Sequence, residues 1–160
     1  MEKLPFLGMW ECAIDEKRRI TLPARLRELL ATYGSSPELI VTLGRKGSLM
    51  ILPPAVWNSV SPDLFNAVVD GDAGAQAVRT MMAMHGNVSR LDNSGRLTLT
   101  EKQMKIALLD KVAIVFGYFN CIELWNPERF KTINTTASPE EHDRNIERYV
   151  GPASRRKERE

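Results

Sequence analysis

Hydrophobic and polar residues alternate in short stretches of the chain, which is typical of β-strands that bury one face. In Arg19-Ile20-Thr21-Leu22 the alternation predicts that Ile20 and Leu22 face a core, whereas Arg19 and Thr21 face outward. Other apolar, β-prone stretches predict strands at 9–14, 39–43, 49–52, 112–116 and 121–125. The pattern therefore predicts a chain built on short strands.

Helical spacing of apolar residues follows Pro23, a residue whose missing N–H costs nothing where a helix begins. The residues at this spacing are Leu26, Leu29, Leu30 and Tyr33. Thr100 and Gln103 fit a capping box, in which each side chain satisfies a free N–H at the start of a helix. Further helices are predicted to begin at Ser61-Pro62, at about residue 73 after Asp70-Gly71-Asp72, and at Ser138-Pro139.

The sequence repeats itself once. Residues 15–22, DEKRRITL, match residues 92–99, DNSGRLTL, at an offset of 77. Residues 39–57 match residues 112–130 at an offset of 73, so the second copy has a connector four residues shorter. Two blocks that match in the same order indicate a duplicated module, and the period is too long for a solenoid repeat.

Each copy reads as strand, turn, strand, helix, strand, turn and strand. This predicts a mainly β chain with short helices, of the α+β class. The predicted parts are a first module at 6–60, linking helices at 61–84, a second module at 85–133, and a C-terminal helix with a charged tail at 134–160. Each module alone would bury little surface, which favours halves that pack on each other or on partner chains.

Basic residues are concentrated at the first turn, although the net charge of the chain is only +2. The stretch 17–27 contains five basic residues and no acidic one, while the stretch 61–78 contains three aspartates and no basic residue. Such asymmetry is typical of an electropositive surface for nucleic acid, and equally of a solvated helix face beside an acidic linker.

The sequence shows no catalytic pattern, since HExxH, GxGxxG, GxxxxGK[ST] and GxSxG are all missing. The two histidines, His85 and His142, lie outside any such motif, and Cys12 and Cys121 lack metal-ligand spacing. We therefore expect neither catalytic activity nor a metal site. The apolar runs are too short to span a membrane, so we also expect a cytoplasmic protein without a membrane partner.

Several motifs resemble those of one family. They are Phe6-x-Gly8, the turn Asp15-Glu16-Lys17-Arg18-Arg19, the turn Asp92-Asn93-Ser94-Gly95-Arg96, and Glu123-Leu124-Trp125-Asn126-Pro127-Glu128. On these residues, over about 6–133, the chain resembles the MraZ family, whose modules are similar to AbrB-type swapped-hairpin DNA-binding domains. It departs from the family pattern at Arg18, where a glycine is usual, and at Ser94 and Thr100, where a longer polar residue and a proline are usual.

The resemblance implies a tandem, duplicated AbrB-like swapped-hairpin fold, also described as a double-split β-barrel. It implies a transcriptional regulator that binds short direct repeats in double-stranded DNA, upstream of division and cell-wall genes. A ring-shaped homo-oligomer, association with the nucleoid and the absence of a cofactor are also implied.

The candidate DNA-contacting residues are Lys17, Arg18, Arg19 and Arg96. A guanidinium can bond guanine O6 and N7 together, and a lysine suits phosphate as a point charge. Three further residues are expected to structure the two turns, namely Asp15, Asp92 and Gly95. If the position of Gly95 needs a positive φ, Arg18 at the matching position costs about 1 kcal/mol, unless the first turn has another shape.

A second interpretation is an AbrB-like protein-interaction module of antitoxin type. Salt-dependent DNA binding would favour the regulator, whereas tight binding of a protein partner without affinity for DNA would favour the module. Because fewer basic residues lie near the second turn in the sequence, we expect the first copy to supply most DNA contacts. The sequence leaves open whether Arg96 contacts DNA or only pairs with Asp92.

Overall fold

Pairs of strands are separated by helices along residues 3–134 and 136–150, the part of the chain that this computed structural model describes. The strands are β1 (Phe6–Ala13), β2 (Arg19–Thr21), β3 (Glu38–Leu43), β4 (Leu49–Leu52), β5 (Asn87–Arg90), β6 (Arg96–Thr98), β7 (Val112–Phe119) and β8 (Cys121–Trp125). The α-helices are α1 (Ala24–Ala31), α2 (Pro54–Val69), α3 (Ala73–His85), α4 (Glu101–Ile106), α5 (Pro127–Ile133) and α6 (Pro139–Tyr149). The predicted α+β class, a β sheet with short helices, is confirmed.

One predicted helix start is wrong. Helix α2 begins at Pro54 and runs through Pro62 to Val69, so Ser61 does not begin a helix. The earlier proline pair starts it, because Pro53 is the N-cap and Pro54 occupies the first helical position, where no N–H is needed. The helix tolerates Pro62 in its interior and ends at Asp70-Gly71, where the predicted break lies.

The strands of the two repeats interleave in a six-stranded antiparallel sheet of order β1-β7-β8-β4-β3-β5. The first-repeat strand β1 pairs with β7 of the second repeat, and the second-repeat strand β5 pairs with β3 of the first. Exchanging the repeats turns this order into itself. The sheet therefore has an approximate two-fold symmetry axis, which passes between β4 and β8. The sheet is open at both edges, which are β1 and β5.

The symmetry is clearest in a separate two-stranded ribbon formed by β2 and β6. In its register Ile20 lies opposite Leu97, and Arg19 lies opposite Thr98. Ile20 and Leu97 are equivalent positions of the two repeats, so the symmetry axis passes through this pair. Both side chains are fully buried, as the alternation predicted for Ile20.

One hydrophobic core serves both repeats. Its fully buried members include residues from the first repeat and their counterparts in the second, namely Ile20, Leu22, Leu49 and Ile51 with Leu97, Leu99, Ile122 and Leu124. Burying one such side chain contributes about 1.5–3 kcal/mol. Because the core is shared, neither repeat has a complete apolar interior of its own.

A charged contact joins the β3–β4 turn to the second repeat. The Arg45 guanidinium donates two hydrogen bonds to the buried carboxylate of Glu123, at 3.0 and 3.1 Å, and lies over the rings of Tyr118 and Trp125. The indole Nε1 of Trp125 donates to the same carboxylate at 3.2 Å. Glu123 therefore has the partners that a buried charge requires.

The described residues divide into two compact units, one within 3–130 and the other within 131–134 and 136–150. Within the second unit, α6 begins with a capping box between Ser138 and Glu141, which agrees with the predicted helix start. The charged tail predicted at the end of 134–160 falls within residues 151–160, which lie outside the described residues.

Gln103 is a buried polar side chain that connects α4 to the sheet. Its Oε1 accepts from the Thr100 N–H at 3.0 Å, which completes the predicted capping box. Its Nε2 donates to the His85 carbonyl at 3.0 Å and to the Asn87 side-chain oxygen at 2.8 Å. One side chain therefore satisfies polar groups on three segments.

We predict that Gln103→Ala lowers the free energy of unfolding by about 2 kcal/mol, because a helix cap is lost and buried polar groups lose their partner. Urea denaturation measures the change. Gln76→Ala is the matched control, since Gln76 is an exposed glutamine on α3. Equal, small losses for the two variants would contradict the role of Gln103.

Candidate nucleic-acid interface

The two turns at residues 15–19 and 92–96 are here called the first and second Asp-Arg turns, and the first is held in shape by its own aspartate. The Asp15 carboxylate accepts from the backbone N–H groups of Lys17 and Arg19, each at 2.9 Å, and from the Arg19 Nε at 2.7 Å. The Asp15 N–H donates to the Arg19 carbonyl, and the Arg18 N–H to the Asp15 carbonyl. The turn therefore fixes both its backbone and the direction of the Arg19 side chain.

The second turn repeats this geometry. The Asp92 carboxylate accepts from the N–H groups of Ser94 and Arg96, each at 2.9 Å, and from the Arg96 Nε at 2.7 Å. The backbone hydrogen bonds of Asp92, Gly95 and Arg96 correspond to those of the first turn. Both carboxyl groups have a pKa below its usual range, chiefly because the N–H of the paired arginine donates to the charged form.

The arginines of both turns lie on one face of the β2–β6 ribbon. Residues directly opposite each other in an antiparallel pair share a face, as do residues two apart along a strand. The register therefore places Arg19, Thr21, Arg96 and Thr98 together, on the side away from buried Ile20 and Leu97. The outward face of the ribbon carries two oriented guanidinium groups and two exposed threonines.

Each turn is closed by the other repeat. The carbonyl of Arg18 accepts from the Leu99 N–H at 2.8 Å, and the carbonyl of Gly95 accepts from the Leu22 N–H at 3.1 Å. Leu22 and Leu99 are themselves equivalent residues, which directly follow the ribbon strands. The two turns and the ribbon thus form one connected surface.

The left-handed backbone expected at the glycine position is present in both turns. Gly95 has φ +74°, and Arg18 has φ +60° at the matching place in the first turn. The first turn therefore keeps the shape of the second and accommodates a side chain there. That side chain folds back, since the Arg18 Nε donates to the Leu99 carbonyl at 3.0 Å and one of its terminal nitrogens lies 3.7 Å from Glu101.

A further arginine, Arg27 of α1, lies against the second turn. Its Nε donates to the Leu22 carbonyl at 3.0 Å, and its side chain covers Gly95 so closely that a Cβ there would lie 2.6 Å from the Arg27 Cδ. The sequence did not single out Arg27, because it belongs to the first repeat and lies far from Gly95 along the chain.

The remaining predicted residue, Lys17, is exposed at the tip of the first turn.

In the described residues no three His, Cys, Asp or Glu side chains are grouped as a metal site would require. None of the helices in that part of the chain has the length and apolar character needed to cross a membrane.

Known proteins resemble this chain over most of its length. A family model described as "MraZ protein, putative antitoxin-like" matches residues 6–68 and 82–150. The chain is 30% identical over 128 residues to the "Transcriptional regulator MraZ" of Herpetosiphon aurantiacus, an alignment that covers 80% of this chain and 85% of the relative. It is 31% identical over 125 residues to the protein of that name from Thermomicrobium roseum, with 78% and 84% covered. The chain belongs to the MraZ family.

The two segments matched by the MraZ model follow the two repeats, so the internal duplication inferred from the sequence agrees with the family. The structure also gives physical content to the motif Glu123-Leu124-Trp125 in this MraZ chain. Trp125 donates a hydrogen bond to Glu123, and Arg45 forms an ion pair with Glu123 and lies over the Trp125 ring. Leu124 is fully buried in the shared core. This motif therefore stabilises the fold and lies outside the Asp-Arg turns.

We predict that Gly95→Ala destabilises this MraZ chain by about 1 kcal/mol more than Gly71→Ala does. Both glycines have positive φ, at +74° and +85°, so both variants acquire backbone strain of about 1–2 kcal/mol. Only at Gly95 must a side chain move, because Gly71 has nothing within 4 Å of an added Cβ. The extra loss reflects the hydrogen bond from Arg27 to Leu22.

Thermal or urea unfolding of the two variants, followed in parallel with the unaltered protein, measures the difference. Equal losses would show that Arg27 is not held against the second turn.

Proposed function

We propose that this MraZ chain is a sequence-specific, DNA-binding transcriptional regulator that contacts double-stranded DNA with the β2–β6 ribbon and its two Asp-Arg turns. The observation that supports this most is the placement of Arg19 and Arg96 on one outward face of a two-stranded ribbon. The major groove of B-DNA is wide enough for such a ribbon, and an arginine there can bond guanine O6 and N7 together.

The two aspartates suit this role. An arginine held by a carboxylate loses little freedom when it contacts a base, so less of the binding energy is spent on ordering it. Each arginine is held through Nε, at 2.7 Å in both turns. Lys17 and Arg18 flank the first arginine and are proposed to contact phosphates, where positive charge acts without regard to sequence.

The names of the relatives, each a "Transcriptional regulator MraZ", support regulation of transcription as the purpose of this binding. We further propose that the target is a set of short direct repeats upstream of division and cell-wall genes, and that the protein acts in the cytoplasm at the nucleoid. We also propose that the two AbrB-like repeats together form one swapped-hairpin, double-split β-barrel. The interleaved strand order supports the last point, since hairpins of one repeat pair with strands of the other.

The second candidate is a protein-interaction module of antitoxin type, which the description of the family model favours. Salt dependence separates the two, because binding that neutralises phosphates weakens steeply as salt rises. Affinity for a protein partner without affinity for DNA would select the module and contradict our proposal.

We predict that Arg19→Ala and Arg96→Ala each weaken specific DNA binding by about 1–3 kcal/mol and leave the fold intact. Each variant removes one base-contacting guanidinium from the outward face of the ribbon. Fluorescence anisotropy with a duplex from upstream of the protein's own gene measures affinity, and circular dichroism verifies folding. Arg79→Ala is the control, since Arg79 lies on α3 and stacks on Phe65.

A folded Arg19→Ala variant with unchanged affinity would contradict the role of the first turn. The same result for Arg96→Ala would show that Arg96 only pairs with Asp92.

A ring-shaped homo-oligomer is also proposed. Two features support association. The sheet has open edges at β1 and β5, which present unpaired backbone groups. Helices α2 and α3 expose apolar side chains, among them Phe65, Val69, Val78 and Met84, each at least half exposed. Closed symmetric association would cover both features without open-ended growth.

We predict that the purified protein at micromolar concentration has a mass several times that of the 18.1 kDa chain in multi-angle light scattering. Val78→Asp, which places a charge on the exposed apolar face of α3, should shift the protein toward smaller species. A monomeric unaltered protein would contradict the oligomer.

A further inference from the structure

We propose that Arg27 is a phosphate-contacting residue of the second Asp-Arg turn, the spatial counterpart of Arg18 in the first turn. Nothing in the sequence of the second repeat shows it, because the residue is supplied by helix α1 of the first repeat. The inference rests on the proposed function and adds a residue to the same surface.

The hydrogen bonds of the two side chains show that Arg27 corresponds to Arg18. The Arg18 Nε donates to the Leu99 carbonyl at 3.0 Å, and the Arg27 Nε donates to the Leu22 carbonyl at 3.0 Å. Leu22 and Leu99 are equivalent residues of the two repeats, at the offset of 77. The approximate two-fold symmetry therefore places the two guanidinium groups at equivalent points of the surface, although they start from different backbone positions.

The residues around each arginine account for the difference. In the first turn the cation is on the turn itself, at Arg18, and the helix position equivalent to Arg27 in the second repeat is Met104. In the second turn the same place on the turn is Gly95, and the Arg27 side chain covers it. At each turn one arginine thus donates to the carbonyl that follows the opposite strand of the ribbon, and this arginine comes from the turn itself in one case and from a helix in the other.

The charge of Arg27 is available for a phosphate. Arg27 is half-buried, and among the described residues it forms no ion pair, whereas Arg18 lies 3.7 Å from Glu101. Bonding through Nε leaves the two terminal nitrogens as donors, which is the fork that matches phosphate oxygens. The neighbouring Arg25, by contrast, is exposed and lies 3.7 Å from Glu28.

The consequence is that the two turns are more alike in space than along the sequence. Counted along the chain, Arg27 adds to the excess of basic residues in the first repeat. Placed by the fold, it belongs to the second turn, so Arg18 with Arg19 and Arg27 with Arg96 form two corresponding pairs. The first copy therefore still supplies most of the proposed DNA contacts, but part of its positive charge lies at the second turn, and the two turns differ less in charge than the sequence alone indicates.

The test is the salt dependence of binding to a duplex from upstream of the protein's own gene, measured by fluorescence anisotropy between about 50 and 200 mM salt. Arg27→Met reproduces the residue found at Met104 and should reduce the log–log slope by about 0.9, the value for one neutralised phosphate. Arg18→Met should give a similar reduction. Arg25→Met removes a charge from the same helix and should leave the slope unchanged.

A relocated cation makes the test sharper. The double variant Arg27→Met with Gly95→Arg rebuilds the arrangement of the first turn, with the arginine on the turn and methionine on the helix. We expect it to recover the slope that Arg27→Met loses. If Arg27→Met fails to fold, Arg27→Gln removes the charge and retains an N–H donor for the Leu22 carbonyl, and the same loss of slope is expected.

The outcomes separate the two proposals. An unaltered protein whose affinity for DNA does not depend on salt would overturn the proposed function, and this inference with it. An unaltered protein with a steep slope, together with a folded Arg27 variant of the same slope, would overturn the inference alone. A variant that is less stable but keeps its slope would show that Arg27 only packs on the turn.

Discussion

The pairing of β2 with β6 is the interaction on which the rest of this structure depends. Ile20 and Leu97 meet on the symmetry axis and are fully buried, so each repeat completes the core of the other. The strands are only three residues long, and two hydrogen bonds extend their pairing beyond the ribbon, from Leu22 to Gly95 and from Leu99 to Arg18. Because these bonds end on the turns, the shape of the surface formed by the ribbon and the two turns is coupled to the folding of both repeats.

The same constraint explains which features the sequence predicted. Alternation, helix caps and the repeat are local patterns, and they correctly placed most strands, the capping box of Thr100 and Gln103, and the burial of Ile20. The pairing of β1 with β7 and of β5 with β3 depends on residues far apart in the chain, and no local pattern specifies that register. The helix start predicted at Ser61-Pro62 was wrong, because the preceding pair Pro53-Pro54 already begins the helix and Pro62 lies in its interior.

The Asp-Arg motif could be located in the sequence, but its surroundings could not. The spacing of four residues allowed Asp15 to bond Arg19, and the structure shows this bond in both turns. The contact between Arg27 and the second turn could not be predicted from the sequence, since only the fold brings α1 against Gly95. Ion pairs near the surface contribute little to stability. We therefore assign the two Asp-Arg pairs the role of orienting the side chains of Arg19 and Arg96.

The two repeats fold as one interlocked unit, whose turns are complete only together. Native-state hydrogen exchange of the Leu22 and Leu99 amides tests it most directly, because each donates to a turn of the other repeat. If the repeats are interlocked, both amides exchange only through global unfolding, with the free energy that denaturation measures. Exchange of either amide through a lower-energy opening, with the β7 and β8 amides still protected, would contradict it.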